Sequence, residues 1–446
     1  MKEYDVIVLG GGPAGGGVAE PLAKAGRRVA MVEREGFGGV CPLKGCNPKK
    51  VLMGAAEAAH MARLLVGDGI GGKPAIDWPA LMRFKQTFVD PVPERARKAY
   101  GDMGIDTYMG FGRFTGPETV EVKGQELRAK HVCVCVGLVP SDLPAEGGRG
   151  LPCSDDFLNL PAMPKRVVFI GGGFIAMEFA HIANEAGAEV VLLNRSGRIL
   201  KRFDPVLAGD LVEASRHAGI DMRMNRPVHR VERDKKGYTV FCGDDGAEEV
   251  RADVVFNCTG RRPALDGLNL QAAGVAADRR GIKVDSRMRS VSNPGVYAVG
   301  DVADQGAALT PVATIQGAVV AANILDPGSV EVNYAGIPSA CFTLPPLAGV
   351  GMLEDEAREQ GYSFEVKETD LAGSFPWKRL KETHGRARVL IDERNDRILG
   401  AHVLGHNAEE VINLFGLAVR QGVPLSGLRD AVWAYPTCGY YLKYMI

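Results

Sequence analysis

The chain has 446 residues, with 53 Lys plus Arg against 54 Asp plus Glu and a net charge of −1, so no net field favours nucleic acid or an anionic membrane. The length predicts about three domains. No apolar run reaches the length of a transmembrane helix, and the first strand is expected at residue 4, leaving no room for a signal peptide.

In chain order, Tyr4–Leu9 (YDVIVL) is an apolar run of strand type, followed without spacer by the glycine turn Gly10–Gly15 (GGGPAG). Ala14–Ala25 reads as a helix. Arg28–Val32 is a second strand, closing on Glu33, 23 residues after the first glycine. Gly10, Gly12 and Gly15 let backbone amides approach a pyrophosphate, the helix N-terminus adds partial positive charge, and Glu33 accepts from a ribose hydroxyl. With every flanking element in order, the pattern predicts a dinucleotide site.

Next comes Gly38-Gly39-Val40-Cys41-Pro42-Leu43-Lys44-Gly45-Cys46-Asn47-Pro48-Lys49-Lys50, with four residues between the cysteines. On a regular helix, residues five apart have Cα atoms about 8.7 Å apart, and a disulfide tolerates at most about 7 Å. A bridge therefore needs distorted backbone, for which Pro42 and Gly45 give grounds. Such a local, strained bridge belongs to the labile redox type; the bland alternative is two packed thiols that lie close.

The other seven cysteines, at 133, 135, 153, 242, 258, 341 and 438, show no disulfide framework or zinc spacing. That predicts a reducing, cytoplasmic setting and no metal site. Cys133 and Cys135 alternate within the apolar run His131–Val136 and Cys258 closes another, so these three read as buried small hydrophobes.

A second unit repeats the pattern: strand Arg166–Ile170, turn Gly171-Gly172-Gly173-Phe174-Ile175-Ala176, helix Met177–Ala186 and strand Glu189–Leu193. The second strand ends at Asn194 and Arg195 rather than at an acid. An acid there suits the free 2′-hydroxyl of NADH, whereas Arg suits a 2′-phosphate. Arg198, Lys201 and Arg202 add charge nearby, so NADPH is expected over NADH; the alternative is a loop of solvated charges.

Two such turns, with the first beside a cysteine pair, make the chain resemble the flavoprotein disulfide reductases of the glutathione reductase, dihydrolipoamide dehydrogenase and mercuric reductase group. The resemblance covers essentially the whole chain. Cys258–Pro263 (CTGRRP) resembles the family's return into the flavin domain. Val296–Asp301 (VYAVGD) is similar to the segment whose aspartate contacts the ribityl chain. Leu309–Ala313 (LTPVA) resembles the stretch beneath the pyrimidine end of the ring, and Phe342–Gly351 the start of the interface domain.

The resemblance implies FAD and NADPH as cofactors. NADPH, held by Gly171, Gly173, Ala176, Arg195, Arg198 and Lys201, would pass hydride to the flavin N5, and reduced flavin would open a Cys41–Cys46 disulfide. FAD would be held by Gly10, Gly12, Gly15, Glu33 and Asp301. Cys46 would be the thiolate against the ring, Cys41 the thiol facing substrate, and Lys49 would lie near N5, paired with Glu178. A cation there favours thiolate, the nucleophilic form. The form GCNPKK is closer to glutathione reductases than to the GCxPSK of lipoamide dehydrogenases.

The chain departs from the family near its end. Related enzymes carry a His-Pro-Thr segment whose His serves the partner subunit as acid–base catalyst, oriented by a Glu five residues on. Here the segment is Tyr435-Pro436-Thr437-Cys438-Gly439-Tyr440, and the nearest histidine in sequence is His406. A phenol titrates near 10, so at neutral pH it donates but is a poor base; reduction is expected over dithiol oxidation. Tyr435 is either a hydrogen-bond partner to the leaving thiolate or a filler of the space left by His. Cys438 is either a third redox thiol or a packed one.

Glutathione reductases place arginines where this chain has Glu20 and Ala318, removing bidentate clamps on the glycine carboxylates. Mercuric reductases carry a C-terminal cysteine pair that is absent here.

The expected fold is α/β: two Rossmann-like dinucleotide-binding domains and a C-terminal α+β dimerisation domain. The flavin domain would take 1–150 and 261–330, the NADPH domain 151–260, and the interface domain 331–446, with an active site shared across a homodimer. The expected activity is NADPH-dependent reduction of a small-molecule or small-protein disulfide that is neither glutathione nor lipoamide. The alternatives are a flavin reductase for a quinone, oxygen or a metal ion, and a flavoprotein redox sensor.

Overall fold

The first strand, Lys2–Leu9, pairs in parallel with Val29–Glu33 on one side and Gln125–Val134 on the other; Asp106–Met109 extends the sheet beyond Val29–Glu33. Val6, Ile7 and Val8 are fully buried, as expected of a parallel strand covered on both faces. Gln125–Val134 plays two parts. Its first half pairs antiparallel with Thr119–Val122, which pairs with Gly112–Gly116. Its last three residues pair in parallel with Val296–Ala298. The sequence reading found only the buried end of this strand, because Gln125–Lys130 alternates between exposed and buried.

This computed structural model describes residues 1–446. Its chain divides into two units, one of Met1–Lys50, Arg83–Ser141 and Arg261–Tyr334, the other of Val51–Met82, Asp142–Gly260 and Ala335–Ile446. The sheet just described belongs to the first unit, which also holds the helix Pro13–Lys24 against the helix Thr310–Leu325. These two helices approach so closely that a Cβ on Gly17 would lie 3.4 Å from the Gly317 Cα.

The second unit contains a four-stranded parallel sheet in the order Asp221–Arg223, Glu189–Leu193, Arg166–Ile170, Val254–Asn257. An antiparallel meander, Val228–Asp234, Gly237–Cys242 and Glu248–Ala252, forms a separate three-stranded sheet in the same unit. The C-terminal part is a five-stranded antiparallel sheet in the order Ser339–Cys341, Leu347–Gly351, Arg397–Leu404, Arg386–Asp392, Phe364–Asp370. Helix Ala408–Gln421 buries Val411, Ile412, Phe415 and Ala418.

The Arg388 guanidinium ties this part to the parallel sheet. It meets Asp204, the N-cap of helix Pro205–His217, with Glu354 at 2.8 Å and Glu368 at 2.9 Å. The fold is thus α/β with two strand–turn–helix nucleotide units and a C-terminal α+β region. No helix is long and apolar enough to cross a membrane.

Candidate active site

The first glycine turn leaves the strand Lys2–Leu9 and enters helix Pro13–Lys24. Gly10 has φ +115°, and a Cβ there would lie 2.3 Å from the Cys135 carbonyl oxygen; one on Gly15 would lie 2.0 Å from Gly10 O. Gly12 is the helix N-cap with no side-chain cap, and Pro13 follows. The first-turn amides therefore face outward over a floor that only glycine permits, which is the chemistry a pyrophosphate needs. Glu33 ends the neighbouring strand. Its carboxylate accepts from the Gly11 amide at 2.7 Å and from the Glu35 amide at 2.8 Å. It braces the turn, a role with no local signal in the sequence.

Asp301 lies in the short helical turn Gly300–Val302 after the last parallel strand. Burial pushes its carboxyl above the usual range, opposed by the Arg261 charge. A half-buried acid in the same unit as the glycine turn suits a polyol hydroxyl. Helix Thr310–Leu325 starts in this unit too, with no side-chain cap on Leu309. These features fit a flavin dinucleotide.

The cysteine segment shows how the chain solves its spacing problem. A short helix, Val40–Lys44, stops at Gly45 (φ −139°, ψ −114°), and a new helix, Cys46–Leu64, begins at once. A Cβ on Gly45 would lie 2.9 Å from the Val40 carbonyl oxygen, so glycine makes this break possible. The break lets both sulfurs, free thiols in this structure, meet in a hydrogen bond.

The consequence is an unequal pair. Cys46 is lowered to about 6 by the Cys41 hydrogen bond, with further help from Thr310, Lys49 and Lys50 against the cost of burial. Cys41 is pushed far above the usual thiol range by the same hydrogen bond and by burial. Lys49 is buried, three residues after Cys46. Thr310 Oγ1 lies 3.7 Å from Cys46 Sγ, a contact with no signal in the sequence around either residue.

In the second unit, Gly171 repeats Gly10: its φ is +122° and a Cβ would lie 2.5 Å from Cys258 O. Gly173 is the uncapped N-cap of helix Phe174–Glu185, and Ala176 is fully buried where the first turn has Gly15. Beyond strand Glu189–Leu193, buried Asn194 donates to the Ser196 and Arg198 carbonyls and shapes the loop. The Arg198 guanidinium folds back onto the Lys201 and Phe203 carbonyls, leaving Arg195, Lys201 and Arg202 as the exposed cations of this loop. Glu178 is 1 % exposed and accepts from the Phe342 amide at 3.1 Å.

Tyr435 is 67 % exposed. Its ring packs edge-on to Tyr440, with centroids 5.0 Å apart. Lys443 donates to the Tyr440 hydroxyl at 2.7 Å, and this hydrogen bond, with one from Tyr444, lowers the Tyr440 phenol. Cys438 is buried, held between the Asn407 amide and the His406 carbonyl, and burial raises its thiol.

Residues 4–317 match the pyridine nucleotide-disulphide oxidoreductase family and residues 337–445 its dimerisation domain. The chain belongs to this family. It is therefore an oxidoreductase of a group that works with FAD and a pyridine nucleotide. A glutathione reductase from Burkholderia cepacia is 31% identical, covering 98% of this chain and 96% of the relative. A dihydrolipoyl dehydrogenase from Thermus scotoductus is 33% identical over 98% of this chain and 95% of its own. A mercuric reductase from Bacillus cereus is 32% identical over 99% of this chain and 70% of its own. Among solved structures, the Cu(II) complex of the HOCl-induced flavoprotein disulfide reductase RclA from Escherichia coli superposes with a TM-score of 0.89. It is 27% identical and covers 100% of this chain and 99% of that one.

Proposed function

We propose that the protein is an FAD-dependent NADPH oxidoreductase that reduces a small-molecule or small-protein disulfide, neither glutathione nor lipoamide, as a cytoplasmic homodimer. The observation that carries this reading is the unequal thiol pair, with Cys46 lowered to about 6 and hydrogen-bonded to Cys41. FAD would be held by residues 1–150 and 261–330, through the turn at Gly10, Gly12 and Gly15, Glu33 and Asp301. NADPH would be held by residues 151–260, with Arg195 and Lys201 toward the 2′-phosphate, and 331–446 would form the dimer. Nine free thiols suit a reducing compartment.

When bound, the flavin supplies two-electron transfer from the nicotinamide to the sulfur pair. Cys46 holds the negative charge beside Lys49, and Cys41 holds the proton. The hydrogen bond between them gives that proton a path to Cys46 as Cys41 attacks the substrate disulfide. One substrate thiolate leaves, taking a proton with help from the Tyr435 hydroxyl of the partner subunit. Cys46 then gives up the proton it took, attacks Cys41 as thiolate and restores the bridge, and the second substrate sulfur leaves with that proton as a thiol. The balance is NADPH, one proton and one disulfide to NADP⁺ and two thiols.

A second reading, reduction of a metal ion, is favoured by the structural relative having been solved with Cu(II). Steady-state NADPH oxidation against a panel of disulfides, quinones and metal ions decides between them. Turnover with a disulfide supports the first. Turnover with Cu(II) and with no disulfide overturns it in favour of the second.

A further inference from the structure

We propose that Thr310 is a positioning residue for the sulfur pair: its hydroxyl donates to Cys46 Sγ and so fixes the negative charge on Cys46 rather than on Cys41. The inference rests on reading Cys41 and Cys46 as the redox pair.

The contact is 3.7 Å and joins residues 264 apart in sequence, so the tertiary fold makes it and not the local helix. A thiolate can only accept, and a hydroxyl carries one proton, so with Cys46 ionised the bond has a single sense. The other groups facing Cys46 are the Cys41 thiol, from the helix Val40–Lys44, and the Lys49 and Lys50 charges, from its own helix. Lysine charge acts at a distance on any nearby anion, whereas a hydroxyl proton is directional. Cys41 also lies within reach of Thr310. One proton cannot serve both sulfurs at once, and the observed contact goes to Cys46. Thr310 thus adds a second donor to the sulfur that already accepts from Cys41, and a sulfur with two donors is the better anion.

The test reads thiol chemistry without any acceptor, so it stands apart from the identity of the substrate. The holoenzyme is reduced anaerobically with dithionite and alkylated with iodoacetamide across a pH series, and labelling of the Cys46 peptide is followed by mass spectrometry. The wild type should show half-maximal labelling near pH 6. Thr310→Val should move that point up by about one pH unit, cutting labelling on the acid side about tenfold. Thr310→Ser, which keeps the hydroxyl, should follow the wild type. Thr310→Ala gives the same comparison if the valine variant loses its flavin. A hydroxyl-free variant that titrates like the wild type overturns the proposal. So does a serine variant that shifts with the valine one, since the threonine methyl would then be responsible.

Discussion

Arg388→Met tests the brace within the second unit. Arg388 is 5% exposed and Asp204 is fully buried. One Asp204 oxygen accepts from the Val206 and Leu207 amides at 2.9 and 3.0 Å; the other meets the guanidinium. Methionine keeps most of the volume of the arginine stem and removes the charge, leaving a buried carboxylate with no cation. Breaking such a pair from one side costs about 3–5 kcal/mol. The Glu368 contact is half exposed and adds little. At about 2–4 °C per kcal/mol, the thermal midpoint should fall by roughly 10 °C, read by far-UV circular dichroism alongside urea unfolding. Adding Asp204→Asn keeps the helix cap and removes the stranded charge, so the double variant should recover part of the loss. Because Asp204 starts the helix just after the loop bearing Arg195 and Lys201, KM for NADPH should rise more than kcat falls. A loss below about 1 kcal/mol, the scale of a surface pair, or no recovery in the double variant, refutes the reasoning.

Two-electron reduction should give long-wavelength absorbance that Cys46→Ser abolishes. With the Cys46 thiol lowered to about 6, the band should be full above that pH and fade as the pH falls through it; a band that survives Cys46→Ser would mean the wrong sulfur faces the ring. NADPH should be preferred over NADH and Arg195→Glu should shift the preference toward NADH, which steady-state kcat/KM with both nucleotides checks; higher wild-type efficiency with NADH contradicts the assignment. Tyr435→Phe should leave reduction by NADPH unchanged and slow reoxidation by substrate about a hundredfold, the lower end of acid–base contributions. Stopped-flow traces separate the two half-reactions, and unchanged reoxidation would show that the hydroxyl has no chemical part.

Local features of the fold were legible in the sequence because glycine and proline act over a few residues. The turns at Gly10 and Gly171 follow from backbone that no side chain permits, and the helix break between the cysteines follows from their spacing and Gly45. Element limits moved by a residue or so: the helix expected at Ala14–Ala25 is Pro13–Lys24, since proline suits the first helical position. What could not be read depends on partners distant in the chain. Thr310 reaches Cys46 across 264 residues, and Arg388 reaches Asp204 across 184; neither has a local signature. The sequence marks Glu33 as the acid after the second strand, but its grip on the Gly11 amide depends on how strand and turn stack. In the sequence Arg198 differs from its charged neighbours in nothing, and the two carbonyls its guanidinium finds within the loop are visible only in three dimensions.

The double role of the strand Gln125–Val134 bears on the order in which a nascent chain can acquire structure. Its final partner, Val296–Ala298, is made only after the parallel sheet of the second unit, whose strands all lie between Arg166 and Asn257. During synthesis that later sheet has all its strands first, while the earlier one waits with an open edge at Val132–Val134. Asp301 and Thr310 come later still. Unpaired strand edges are where incomplete chains pair wrongly. On the flavin site proposed above, cofactor capture would follow synthesis of the second unit's parallel sheet, and a chain stopped near residue 260 would present that unfinished edge.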